Sequence, residues 1–164
     1  MRQLFRHLVA ALMPFTMVVI VPYLVLSSGQ ERSDSWAGGS PSTILSAGGA
    51  VVFLCGLSLF LWCLRLFIRV GRGTLAPWDP TRQLVAVGPY RYVRNPMISS
   101  VATMLLGESI FFQSRLLALW CCAFVAVNHI YFVLSEEPAL EKRFGRDYRE
   151  YKRSVPRWVP RLRH

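Results

Sequence analysis

Two adjacent acids, Glu136 and Glu137, stand directly after an uncharged apolar run, and Pro138 follows them. His129 lies seven residues before Glu136, on nearly the same face of any α-helix through that run, with Asn128 beside it and Tyr131 within a turn. A polar stripe descending an apolar helix toward two carboxylates can bind a cation, accept hydrogen bonds or move a proton, and inside a membrane it is a site by default. As an ordinary helix start, the same acids would only complement the positive helix N-terminus or pair with nearby arginines. A lone histidine on an apolar helix is more often a packing residue, so no catalytic residue is assigned. The other polar concentration is 71–96, which carries four prolines, three glycines, Trp78, Tyr90 and Tyr92. Its proline content rules out one regular helix, and its large side chains argue for an ordered loop with a task.

These groups must be positioned by apolar elements. The chain has 164 residues, 53% of them hydrophobic, with 19 Lys+Arg against 9 Asp+Glu. The charges are segregated between long apolar runs, as in membrane proteins. Leu8 to Ser28 and Ile44 to Leu64 hold no charge, Met97 to Gln113 holds only Glu108, and Leu116 to Ser135 has only His129 as a group that titrates near neutral pH. A helix needs about 20 apolar residues, and no fewer than about 17, to cross a bilayer. Three runs meet this comfortably and the third is marginal, with its full crossing left open. Only Ser114 and Arg115 separate the third and fourth runs, which predicts a tight antiparallel hairpin. The first run is too long for a typical signal peptide and no small-residue cleavage pattern follows it, so it is expected to remain as a span.

Two basic residues precede the first run, six lie between the second and third, and nine follow the fourth, which puts 17 of the 19 on one side. The positive-inside rule makes that side cytoplasmic, with both termini there. The expected fold class is therefore an all-α membrane protein of about four transmembrane helices plus a C-terminal interfacial helix. It forms a single integral membrane domain: first two spans in 1–70, cytoplasmic loop in 71–96, helical hairpin in 97–135 and cytoplasmic C-terminal segment in 136–164. Anionic head groups, rather than nucleic acid, are the expected partners of the basic residues. Gly48, Gly49 and Gly56 are expected to let helices approach closely. Pro14 and Pro22 are expected to kink the first span. Cys55, Cys63, Cys121 and Cys122 lack metal-ligand spacing and read as small buried hydrophobes, so no metal is expected. Leu140, Phe144, Tyr148 and Tyr151 form one stripe of an amphipathic helix starting near Pro138, with a break possible at Gly145.

The stretch L-V-A-V-G-P-Y-R-Y-V-R-N-P-M, an apolar hairpin, and then E-E-P-A-L-E-K-R-F-G-R-D-Y-R-E-Y-K-R-S-V-P-R-W-V-P together resemble the isoprenylcysteine carboxyl methyltransferase and phospholipid methyltransferase superfamily of integral membrane enzymes. The resemblance covers roughly 71 to 160, and the order of its parts is specific. It implies an S-adenosylmethionine pocket at the cytoplasmic ends of the last spans, lined by Arg82, Gln83, Leu84, Val85, Tyr90, Arg94, Asn95, Pro96, Met97, Ile98, Glu136 and Glu137. In such a pocket a carboxylate accepts hydrogen bonds from the ammonium and ribose hydroxyls, Tyr90 or Tyr92 walls the adenine, and an arginine or helix N-terminus takes the carboxylate. The implied substrate is a small lipophilic molecule or lipid bearing a carboxylate, amine or hydroxyl. A carboxylate needs no general base; an ammonium would need one, with Glu137 or His129 as candidates. Asn95 stands where the family usually has His, Ile98 where it has Tyr, and Phe132 where the isoprenylcysteine enzymes have a substrate-contacting Arg. The last departure points away from a prenylcysteine acceptor. The alternatives are an NADPH-dependent membrane reductase of the sterol or steroid reductase type, which shares the Y-x-x-Y-x-x-x-V-P ending, and a non-catalytic protein of the same fold.

Overall fold

The computed structural model describes residues 14–28, 42–70 and 83–160. Among these residues there is no strand; the architecture is helical. Helix α1 spans Thr16–Ser27, α2 Thr43–Arg69, α3 Pro96–Phe111, α4 Arg115–Tyr131 and α5 Glu137–Ser154. A short 3-10 turn at Gly88–Arg91 interrupts the loop before α3.

Helices α2 and α3 make the most extensive contact in the molecule, because three glycines remove the side chains that would hold them apart. A Cβ on Gly49 would lie 2.4 Å from the Phe111 nitrogen, one on Gly107 would lie 2.5 Å from the Phe53 nitrogen, and one on Gly56 would lie 2.8 Å from the Met104 nitrogen. Each obstacle is backbone and cannot swing away. Gly48 differs from the expectation: a Cβ there meets nothing within 4 Å. Gly49→Ala is therefore expected to destabilise the protein by about 1–3 kcal/mol through overpacking. Gly48→Ala should instead stabilise it by up to about 1 kcal/mol through helix propensity. Thermal unfolding of the two variants in detergent measures both, and equal effects would rule out the close backbone approach.

Val18 of α1, Val101, Met104 and Leu105 of α3 and Phe124 of α4 form the main buried cluster, with Phe53, Leu57 and Phe60 of α2 packed against it. Trp120 in α4 donates from Nε1 to the Met17 carbonyl, 3.2 Å away, and so ties α4 to α1. The α3–α4 connection is as tight as expected, though it runs through Phe112, Gln113 and Ser114, and Arg115 already belongs to α4. Gln113 takes a left-handed φ of 54°. Its buried amide accepts from the Ser42 nitrogen at 3.3 Å and donates to the Ser42 carbonyl at 3.2 Å, which staples the turn to the start of α2. Ser114 caps α4 by accepting from the Leu117 nitrogen at 3.1 Å.

The outer faces of these helices are apolar. Only 11% of the most apolar window of α2, and 17% of that in the continuous helix Arg115–Ser154, is buried inside the protein. The core helix of a soluble protein would be mostly buried. An apolar helix whose sides remain uncovered needs an apolar solvent, and a bilayer supplies one. With 27 residues, α2 extends about 40 Å, more than the ~30 Å hydrocarbon core. The 16 residues of α3 reach only about 24 Å, and α1 is likewise short over the described residues. Among the described residues, two helices are thus long and apolar enough to cross a membrane. Cys55 and Cys122 lie exposed on the outer faces, contrary to the expectation of burial, while Cys63 is buried and Cys121 half-buried. A thiol is apolar enough for lipid contact, which is why hydropathy did not separate the two situations.

Prolines produce the local irregularities. Pro138 falls in the first turn of α5, as expected, but α5 does not begin afresh there: α4 and α5 run together over Arg115–Ser154. The join is a π-helical turn, Phe132–Glu136, closed by the Glu137 N–H donating to the Phe132 carbonyl. The same pattern occurs in α1, where the π-helical turn Thr16–Ile20 is closed by Val21 N–H to the Thr16 carbonyl and Pro22 follows. A helical proline has no N–H and its ring collides with the carbonyl four residues back. Widening the preceding turn relieves both faults. Gly145 does break α5, with φ 55° and ψ −119°.

Candidate active site

The polar residues converge where the loop before α3, the π-turn and the C-terminal tail meet. The loop reaches this point through Gly88, whose φ of 58° suits glycine and whose missing side chain admits Leu66; a Cβ would lie 2.7 Å from that residue's Cδ1. The loop is joined to the tail by Arg94 N–H donating to the Pro156 carbonyl at 2.9 Å, and to α5 by Tyr151 hydroxyl donating to the Tyr90 carbonyl at 2.7 Å.

At the centre is Glu137, whose side chain is only 6% exposed. Its Oε1 accepts from Arg94 Nη1 and from Arg157 Nε, both at 2.8 Å, and its Oε2 lies 3.3 Å from Lys152 Nζ. Burial alone would push this carboxyl up, but the Arg157 hydrogen bond, the Arg94 charge and Lys152 together hold it below the usual carboxylate range. Arg157 is held correspondingly more firmly protonated by its bond to Glu137. Tyr148 is buried against Arg94 and Glu137, and burial pushes its phenol up.

Glu136 differs from its neighbour. It is half-buried and, among the described residues, makes no hydrogen bond or ion pair. Burial first, and then the charge of Glu137, raise its carboxyl to about 7. Two adjacent acids are thus driven apart: one is committed as an anion to three cations, the other is unclaimed and poised near neutrality. A second unclaimed group sits beside them. Arg94 Nε is buried and has no hydrogen-bond partner.

The remaining expected site residues fall into several environments. Arg82 lies outside the described residues. Gln83 is exposed, Leu84 and Asn95 are half-buried, and Val85 and Pro96 are buried. Val85 and Tyr90 pack with Cys63, and Met97 adjoins that cluster. The Tyr90 phenol is pushed up by burial first, then by Cys63, Tyr151 and Glu136. The Asn95 side chain makes no cap; its carbonyl accepts from Ser99 N–H at the start of α3. Ile98 packs against the main helical core. The structure therefore brings Tyr90, Arg94, Glu136 and Glu137 together, with Val85 and Met97 behind Tyr90, and leaves Gln83 outside.

The expected stripe from His129 to the acids is not continuous. The π-turn sets the helix back by one residue, about 100°, so a seven-residue spacing no longer keeps one face. His129 is exposed, and its Nδ1 accepts from Trp158 Nε1 at 3.0 Å; Asn128 donates back to the Phe124 carbonyl. Arg157, Lys152 and Trp158 were not singled out by sequence reasoning. Arg157 is twenty residues from Glu137 and no helical periodicity links them; the R-W between the two tail prolines was the only sign. Among the described residues no group of three or more His, Cys, Asp and Glu residues could hold a metal. An apolar groove lined by Leu24, Leu116 and Trp120 among others lies near the start of α4, at the opposite end of that helix from Glu136.

A helical fold with uncovered apolar faces, whose polar groups collect at one end of the last helices around two unlike acids, is that of a membrane protein. The phospholipid methyltransferase pattern matches residues 44–147, from the start of α2 into α5, and the chain belongs to that family of membrane methyltransferases. It is also similar to an uncharacterized protein of Haemophilus influenzae, 33% identical over 63 residues, which are the whole of that protein and 38% of this chain. The family match includes the loop, the hairpin and both acids, and stops short of Lys152, Arg157 and Trp158.

Proposed function

We propose that this protein is a multi-pass membrane enzyme that transfers the methyl group of S-adenosylmethionine to a small lipophilic acceptor. In this reading the four apolar runs span the bilayer, and the termini, the loop and the site lie on the cytoplasmic side, where the basic residues are. The supporting observation is the pair of unclaimed groups beside the Glu137 clamp. Glu136 offers a half-buried carboxyl without a partner, and Arg94 offers a buried N–H without one. An amino-acid end, with its ammonium and carboxylate, matches that pair in charge and in hydrogen-bonding sense.

The bound cofactor supplies an electrophilic methyl on a sulfonium. The protein's part is to bind and orient. Glu136 accepts from the ammonium or ribose hydroxyls, Arg94 donates to the carboxylate, and the Tyr90, Val85 and Met97 cluster provides an apolar wall. In-line displacement gains much of its rate from such positioning, and the acceptor enters sideways from the lipid. Neither earlier candidate for a general base suits the role. Glu137 is stabilised as an ion-paired anion, and His129 Nδ1 already takes the Trp158 proton donor. An acceptor that presents its own anion, a carboxylate above all, needs no base; an amine or hydroxyl would have to pass its proton to Glu136.

Calorimetric titration of purified protein with S-adenosylmethionine and, separately, NADPH tests the reading, with Glu136→Ala and Tyr90→Ala as controls. S-adenosylmethionine should bind and both variants should lose it. Binding of NADPH alone would move the chain to the reductases, and binding of neither by folded protein would favour a fold without catalysis. The affinity should also depend on pH. A cationic ligand selects the Glu136 carboxylate, so affinity should rise as pH climbs through about 7. Below that, it should fall by up to about tenfold per pH unit. An affinity flat between pH 5.5 and 8 would remove Glu136 from the binding site.

A further inference from the structure

From its start to the paired acids, the buried residues of the last helix fall at Leu117, Phe124, Phe132 and Glu137. The first two steps, seven and eight residues, are those of an α-helical stripe. The third step is five, which is not. Five residues of α-helix turn about 500° and four about 400°. In a straight helix Glu136 would therefore stand about 40° from the direction of Phe132, while Glu137, at about 140°, would face outward. Yet Phe132 is 4% exposed and Glu137 5%. The difference is the π-turn: its i→i+5 hydrogen bond, Glu137 N–H to Phe132 carbonyl, returns Glu137 to a place above Phe132. The two acids then straddle the inward direction. One reaches the Arg94 and Arg157 clamp and the other remains half-buried without a partner.

Charged groups are not needed for such a turn. Helix α1 contains the same arrangement, five residues of π-helix, one residue, then Pro22, in the apolar stretch Thr16–Ile20 that has no charged group at all. What the two turns share is a proline at that offset. The carbonyl four residues before Pro138 belongs to Leu134, which is 73% exposed on the outer face; nothing on that side of the turn contributes to the site.

We propose that Pro138 is the positioning residue of the site: by holding the preceding turn wide, it directs Glu137 into the cation clamp and leaves Glu136 inward and available to ligand. The Glu136 part of this rests on the cofactor reading given above; the Glu137 part does not. Restoring an N–H at 138 allows the turn to close as α-helix, which swings Glu137 out of the clamp. Removing one residue from the turn compensates, because Glu137 then follows Phe132 by four and returns to within about 40° of it.

The test compares parent protein, Pro138→Ala, and Pro138→Ala with Leu134 deleted, each purified in detergent. Melting temperature reports the clamp and needs no ligand; calorimetric titration with S-adenosylmethionine reports Glu136. Pro138→Ala should melt at least ~5 °C lower and bind S-adenosylmethionine at least tenfold more weakly. The deletion should recover most of both losses, which a residue needed only for folding would not allow. A Pro138→Ala protein with parental melting and binding would overturn the proposal. So would a deletion variant no better than Pro138→Ala, including one in which both fail to fold. If the parent itself does not bind S-adenosylmethionine, the cofactor reading fails, and the melting comparison still decides whether Pro138 sets the clamp.

Discussion

Glu137→Gln is expected to be among the most destabilising single substitutions in this chain, at about 3–5 kcal/mol, because it leaves two largely buried guanidinium groups facing an uncharged amide. The cost arises from geometry. Arg94 and Arg157 both bond to the same oxygen at 2.8 Å, and their side chains are 11% and 24% exposed. Lys152 is more exposed and its removal should matter much less. The three elements the clamp joins, loop, start of α5 and tail, have few other polar ties among the described residues, chiefly Arg94 N–H to Pro156 and Tyr151 of α5 to Tyr90. The pH dependence follows from the same contacts. The Glu137 carboxyl is held below its ordinary value in the fold, so its contribution is present above about pH 4.3 and lost as the solution becomes more acidic. Parent protein should therefore lose melting temperature on acidification below that point, and the glutamine variant should lack this component. A variant that melts with the parent at neutral pH would show that the clamp does not hold the site together.

The adjacent substitution should behave oppositely. Glu136→Gln is expected to leave the fold intact and to weaken S-adenosylmethionine binding roughly 10- to 100-fold, the value of a charge-assisted hydrogen bond of about 1.5–3 kcal/mol. Its stability should differ from the parent's only with pH. Glu136 holds its proton more tightly in the fold, near 7, than in the unfolded chain, near 4.3. The stability it contributes is fully present below about pH 4 and is lost as pH rises through 7. The glutamine variant has no such loss, so it should match the parent only near pH 4, melt somewhat higher than the parent at pH 5.5 and higher still at pH 8. Melting curves at pH 5.5 and 8, together with calorimetric titration, test both halves. Loss of melting temperature at pH 8 would show that the Glu136 charge has a partner that stabilises it.

Much of this arrangement was readable from residue types. The apolar runs, the segregated basic residues, the tight turn near Ser114 and the weakness at Gly145 depend on local properties: hydropathy, charge, and the conformations a single residue tolerates. The meeting of the R-N-P loop with the paired acids was legible too, but through resemblance to a family, since no spacing rule brings residues forty positions apart into contact. The glycines were legible as a class and not individually. Gly48 and Gly49 are adjacent, and only the direction of α3 decides that one is indispensable and the other idle.

That this chain is helical, apolar on its outer faces and polar at one end follows from residue types alone, because those properties sum over residues without reference to neighbours. Which acid does what depends instead on packing in three dimensions. Glu136 and Glu137 are chemically identical, and their difference arises from a wide turn before Pro138 and from an arginine that the tail delivers twenty residues later. Charge in a buried site is governed by the few groups within hydrogen-bonding reach, and those groups are set by helix phase and by the path of a proline-bounded tail. Neither is a property of any local stretch of sequence.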